Sequence, residues 1–338
     1  MTDALRVVSI GGGNGLSTLL QGLKTYSQSP PAGAPAIDIT AIVTVTDDGG
    51  SSGRLRREFD VLPPGDIRNC MVALSEDEAL LARLFQYRFE AGRGLKGHSF
   101  GNLFLTALTS ITGDFSEAVR KSAEVLNIAG RIFPSTAANV TLEAELDNGR
   151  VVAGESRIGR SRRPIRRVRM IPSGARPVRD AVKAIEAADL ITLGPGSLFT
   201  SVIPNLLVKG IARAIRQSAA PKAYFVNLMS QPGETTSFAA SDHVRALLDH
   251  SGGALIDYAV VSTTRIPPAL RARYAAQNAA PIVNDADAIR ALGVGVIEAN
   301  LLRKGVKVRH NSAAVAQVVA DLALEGRKRR MARNSSQR

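Results

Sequence analysis

The chain has 338 residues, 45% hydrophobic and 22% charged, which suits one large α/β domain or two modest ones. A single cysteine, Cys70, excludes an internal disulfide, and neither a signal-peptide pattern nor an apolar run of about 20 residues occurs, so a cytoplasmic protein is expected. The net charge of +13 resides in two runs, seven Arg over 157–169 and five Arg plus one Lys over 327–338, and without those thirteen the basic and acidic residues balance at 30 each, with no interleaved aromatics for nucleic acid.

Taken in chain order, the first predicted strand is Arg6–Ile10, followed at once by GGGNG at 11–15. The next helix carries Leu16, Leu19, Leu20 and Leu23 at i, i+3, i+4, i+7. A loop over Ser27–Ala36 leads to a second strand, Ile39–Val45, ending in TDDGGSSGR. This is a βαβ unit with a right-handed crossover. Residues 66–130 read as mainly helical, broken by a Gly-rich loop at Gly92–Gly97. Over 139–158 two alternating runs joined by Asp147-Asn148-Gly149 predict a β-hairpin excursion that carries an Arg-rich loop, the whole spanning about 139–170. Further strands are expected at Leu190–Leu193, Ala223–Leu228, Tyr258–Ser262 and Val294–Ile297, with a helix near 204–217 and a last one after Asn311. With scarce aromatics, the core is one of Val, Ile, Leu and Ala, as in parallel strands covered on both faces. The expected architecture is a single Rossmann-like α/β domain over 1–326, with a mostly parallel sheet, helices on both faces and the hairpin excursion. A disordered basic tail is expected over 327–338.

Several segments carry chemistry. GGGNG stands where a strand hands over to a helix, where bare amides and the helix dipole favour phosphate. It is neither the strict dinucleotide fingerprint, since Leu16 replaces the last glycine, nor a Walker A loop, and a ligand-free tight turn is the alternative. In TDDGGSSGR, Asp47 and Asp48 follow the second strand, where an acid meets a ribose or a metal. Neighbouring residues face opposite ways, so one is expected to be a ligand and the other a loop anchor. Gly49 to Gly53, with Ser51 and Ser52, read as a flexible loop, and Arg54 as an anion grip. The run LGPGSLFTSVIPNLL at 193–207 supplies a second strand-to-helix turn with Gly194, Gly196 and Ser197. In PPGDIRN, Asp66 is expected to cap the next helix, with Arg68 and Asn69 as binding alternatives. GHSFGN places His98 and Asn102 in and after a loop, with His98 either structural or exposed, or else facing a phosphate or acting as acid/base. Arg309 and His310 precede the final helix, and a guanidinium there takes two phosphate oxygens at once. No nucleophile elbow or Cys–His pairing occurs, so no catalytic residue is assigned.

In this order, IGGGNGLS, TVTDDGGSSGRLR, PPGDIRN, GHSFGN, LGPGSLFTSVIPNLL and NLMSQPGET closely resemble one family over residues 5–325. It is the gluconeogenesis factor (YvcK-like) family of bacteria, within the 2-phospho-L-lactate transferase (CofD-like) superfamily. The resemblance implies a Rossmann-like fold that binds UDP-sugars such as UDP-N-acetylglucosamine, and a role in cell shape and cell-wall synthesis on gluconeogenic carbon. It implies that Gly11, Gly12, Gly13 and Gly15 surround phosphate beside Asp47 and Asp48, and that Gly194, Gly196, Ser197 and Asn205 line the other half, with Arg309 added. Asn14, where the family pattern has Thr, departs from it while keeping hydrogen-bonding ability. With Ser51, Ser52, Arg54, Asn69, His98 and Asn102 these residues form the expected ligand set. The reading is a non-catalytic sensor that needs no cofactor. Its partners are the nucleotide-sugar and a cell-wall or morphogenesis protein, with a homo-oligomer open and neither nucleic acid nor membrane insertion expected. The alternative is a transferase in which Asp47 and Asp48 hold Mg²⁺; a nicotinamide oxidoreductase ranks last.

Overall fold

A computed structural model describes residues 4–75 and 80–336; the last two residues of the expected tail and the first three of the expected domain lie outside the described residues. The strands are β1 (Leu5–Gly11), β2 (Ile37–Val43), β3 (Arg131–Pro134), β4 (Thr141–Leu146), β5 (Val151–Ala153), β6 (Ile165–Ile171), β7 (Leu190–Leu193), β8 (Lys222–Phe225), β9 (Tyr258–Ser262) and β10 (Gly295–Ala299). Seven of them form one sheet in the order β10-β9-β8-β7-β1-β2-β3, with every pair parallel. This is a Rossmann-like α/β fold. The order reverses between β1 and β7, so the connections leaving their carboxyl ends part there and leave a crevice.

The strands are apolar runs because both faces are covered. Val7, Ile10, Ile39, Ile42, Leu193 and Val260 are fully buried. Helix Gly13–Gln28 buries Leu16, Leu19, Leu20 and Leu23 and packs on helices Gly65–Leu74 and Ser312–Ser336. Helix Arg179–Ala187 meets β1 and β3 and packs on helix Ile211–Gln217. The helix expected near 204–217 is broken. A π-helical turn over Leu198–Val202 leads into helix Ile203–Leu207, and Gly210 separates it from Ile211–Gln217.

The hairpin forms as expected, β4 against β5 across Gly149, but the Arg-rich segment is not only a loop. Its second half is β6, which pairs antiparallel with β4 to complete a three-stranded sheet, β5-β4-β6. Val168 and Met170 alternate inward while Arg166, Arg167 and Arg169 face out, so the arginines decorate a strand whose apolar partners hold it down. The tail expectation is also corrected. The last helix runs without a break to Ser336, and Arg327 and Arg330 reach back to the fully buried Asp189 at 2.8 Å each. Those ion pairs hold basic residues that composition alone assigns to solvent. Among the described residues, no single helix is long and apolar enough to cross a membrane.

Candidate functional site

At the switch point a cleft of about 470 Å³ opens beyond the carboxyl ends of β1, β2, β7 and β8. Gly12, Gly13, Asn14 and Gly15 after β1 form its floor. Gly12 stands at the N-terminus of helix Gly13–Gln28 and supplies no side-chain cap, so amides of the first turn remain for a ligand. Gly13 has φ +60°, the left-handed region that favours glycine. Gly196, Ser197, Thr200 and Ser201 after β7 face this floor. The two turns are in contact: a Cβ on Gly15 would run into the Pro195 carbonyl, and one on Gly12 would fall 2.7 Å from the Asp66 carboxylate. Asn205 holds them together from behind, its Nδ2 donating to the Gly11 carbonyl at 3.1 Å and the Ser201 carbonyl at 2.8 Å.

The acidic wall comes from three separate segments. Asp47 follows β2 and accepts from the Gly49 amide at 2.8 Å through Oδ1. Asp66 lies in the first turn of helix Gly65–Leu74, where Pro64 is the N-cap, and it does not cap that helix. Its carboxylate instead crosses to the Gly13 amide, because the tight Gly12 turn brings that donor within reach. Glu155 arrives from the excursion, directly after β5. Burial, and then the Asp47 charge, push Asp66 up to about 7 and Glu155 up to about 8. Behind the cleft Glu234 accepts from Thr200 Oγ1 at 3.2 Å, and burial lifts it to about 7. Arg309 and His310 also line the cleft. His310 is held neutral by burial, its pKa pushed down to about 4, and its Nε2 lies 3.3 Å from the Val226 carbonyl.

The sequence-derived residues divide into three groups. Gly12, Gly13, Asn14, Gly15, Asp47, Gly196, Ser197 and Arg309 line the cleft. Gly11, Gly194 and Asn205 form its backing, and Gly11 closes β1 against β2. Asp48 is the anchor of the acidic pair: its Oδ1 accepts from the Ser156 amide at 2.8 Å, tying β2's exit to the excursion. The stretch expected to be a flexible loop begins helix Gly50–Phe59. Its Ser51 Oγ bonds His98 Nδ1 at 2.9 Å, and Ser52 Oγ accepts from Asn102 Nδ2 at 3.5 Å, all four side chains buried outside the cleft lining. Arg54 lies outside the cleft lining, and its Nη2 donates to the Lys96 carbonyl at 2.8 Å, which ties down the Gly-rich loop. Asn69 faces a neighbouring pocket.

The carboxylates do not fit the metal pair expected for a transferase. Asp48 is turned to Ser156, and among the described residues no three His, Cys, Asp or Glu side chains gather to hold a cation. Sequence reasoning did not single out Glu155, Glu234, Thr46 or Gln231, whose amide donates to Ser197 Oγ at 2.7 Å. Gln231 and Glu234 lie inside the MSQPGET motif; Glu155 carries no local signal.

Comparison with known proteins gives this arrangement relatives. The family model described as 2-phospho-L-lactate transferase CofD matches residues 7–302. A gluconeogenesis factor of Halalkalibacterium halodurans is 48% identical over 324 residues, covering 96% of this chain and 97% of that one. The gluconeogenesis factor of Bacillus subtilis is 46% identical over 321 residues, covering 95% and 98%. A crystal structure of a Bacillus halodurans protein superposes with TM-score 0.89 at 47% identity, covering 94% of this chain and 99% of that one.

Proposed function

The chain belongs to the 2-phospho-L-lactate transferase CofD family, among its gluconeogenesis factors, and from that premise we propose that it is a cytoplasmic sensor of a UDP-sugar such as UDP-N-acetylglucosamine. The observation that carries the reading is the pair of interlocked glycine turns at the switch point, which line one polar cleft beside a helix N-terminus with no side-chain cap. A diphosphate fits over the Asn14 and Gly15 amides, with Arg309 in the same lining. The sugar fits the acidic wall, where Asp47, Asp66 and Glu155 meet hydroxyl groups. With Asp66 lifted to about 7 and Glu155 to about 8, the diphosphate meets fewer than three full negative charges near neutrality, and the protonated carboxyls donate hydrogen bonds.

The non-catalytic character is supported by how the hydroxyls are used. Ser197 accepts from Gln231, Thr200 donates to Glu234, and the buried Ser51–His98 pair lies outside the cleft lining. In this reading the ligand biases the cleft's loops between two arrangements and a cell-wall or morphogenesis protein reads the result, linking cell shape to growth on gluconeogenic carbon. A second reading, transfer chemistry, draws on the family's transferase description and on Asp47, the one member of the expected acidic pair that lines the cleft.

Calorimetry of the full chain with UDP-N-acetylglucosamine, in EDTA and in Mg²⁺, tests both. Binding in EDTA without turnover is expected, with Arg309→Gln weakening it about tenfold. A flat titration, or sustained release of UDP, ends the sensor reading.

A further inference from the structure

Beyond Asn14 and Arg309, which line both, a second concavity of about 430 Å³ opens beside the cleft. Its walls are helix Gly13–Gln28, helix Gly65–Leu74 and the end of helix Leu80–Gln86. The chemistry is opposite to that of the first pocket. No acid lines it, and three guanidinium groups do: Arg68, Arg88 and Arg309.

Among the described residues, none of the three is in an ion pair. Arg68 Nη2 donates to Asn69 Oδ1 at 2.5 Å and Arg88 Nη1 to the Gly97 carbonyl at 2.6 Å, both neutral acceptors. Arg68 Nε is buried with no hydrogen-bond partner. Burial and then the Arg88 charge pull the Arg68 pKa down against the opposing charges of Asp66 and Asp47, so the two cations feel each other across a pocket that no acid lines. An oxyanion among them satisfies the orphaned donor and removes the repulsion together. The hydroxyls of Ser17 and Thr18 donate to main-chain carbonyls, at 3.0 Å and 2.8 Å, which leaves their oxygens to accept from hydroxyl groups.

We propose that this second pocket binds a phosphomonoester of a small polyhydroxy compound, a sugar phosphate, with the phosphate held by Arg68, Arg88 and Arg309. The site goes beyond the nucleotide-sugar cleft and stands without it. Because Asn14 and Arg309 serve both pockets, the two ligands change each other's affinity by the same factor.

Calorimetry of the full chain with inorganic phosphate and with glucose 6-phosphate tests the site, each alone and at saturating UDP-N-acetylglucosamine. Both probes are expected to bind wild type, the sugar phosphate more tightly. Arg88→Gln, an exposed position, and Arg68→Gln are each expected to weaken both probes about tenfold or more, while the remote exposed Arg213→Gln does not. A melting curve establishes that each variant is folded. No binding of phosphate to wild type, or unchanged binding in Arg88→Gln, overturns the proposal. So does complete displacement of phosphate by the nucleotide-sugar, which would put the phosphate in that ligand's own diphosphate position. Loss of nucleotide-sugar binding alone, with phosphate binding intact, sinks the sensor reading and leaves this site standing.

Discussion

Asp66, Glu155 and Glu234 sit where removal from water lifts their carboxyl groups to about 7, 8 and 7, and for the first two Asp47 adds to the effect. A raised carboxyl pKa means that the folded state binds protons more tightly than the unfolded chain does. Stability from these groups is therefore fully present below the unfolded value and is lost as pH rises toward the folded one. For Asp66 that window runs from 3.8 to about 7. Asp66→Asn keeps a carbonyl oxygen for the Gly13 amide and removes the titration. We expect its stability advantage over wild type to grow across the window and level off above it, at about 1–3 kcal/mol, since each pKa unit is worth about 1.4 kcal/mol before relaxation. Urea melts at a series of pH values check this, and parallel curves for the two proteins would refute it. The aspartate's location was only half legible in the sequence. Its place in a helical first turn shows in PPGDIRN, but the crossing to Gly13 depends on how two distant turns are stacked.

The turns themselves are the part of the site that sequence conveys best, because a glycine requirement is local. Gly15 lies against the Pro195 carbonyl and Gly196 faces the Gly12 carbonyl at 3.4 Å from where its Cβ would stand, so neither loop moves without the other. Gly15→Ala must push main chain away, not a flexible side chain. A cost of about 1–3 kcal/mol is expected, together with loss of UDP-sugar affinity, because the displaced element is the ligand's floor. A melting curve and a titration on the same preparation test it; wild-type affinity in Gly15→Ala would separate the turns from the ligand. Glu155 shows the opposite case. It stands about a hundred residues from Asp47 in sequence, and only the excursion's fold, fastened through Asp48 to the Ser156 amide, delivers it to the cleft. Alternation revealed the hairpin β4–β5, yet nothing in it indicated that the hairpin's exit supplies a wall of the site. Nor did the arginine count reveal β6, since composition overshadowed the buried Val168 and Met170 between the charges.

Across the whole molecule, the seven-stranded parallel sheet follows from apolar runs of the right length, and the order β3-β2-β1-β7 puts the site where the order reverses. The carboxyl terminus is where composition misleads. A run of basic residues reads as solvated, but a buried acid elsewhere changes the balance. Asp189 has no exposure, receives the Arg6 amide at 2.9 Å, and is paired with Arg327 and Arg330 from the last helix. Arg327 also reaches the Ala4 carbonyl at 2.5 Å, so the helix fastens the start of β1 and the start of β7 at the edge opposite the cleft. Truncation after Gly326 removes both guanidinium partners and leaves the buried carboxylate with Arg6, whose Nε lies 3.9 Å away. Stranding a buried charge in this way costs about 3 kcal/mol or more. The truncated chain is therefore expected to melt several degrees lower, and Asp189→Asn within the truncation to recover part of the loss, because it removes the stranded charge. Nucleotide-sugar affinity of the folded fraction is expected to stay close to wild type, since the fastening and the cleft lie at opposite ends of the strands. Unchanged melting on truncation would show that the helix end is dispensable; a loss of affinity without a loss of stability would place it in communication with the cleft.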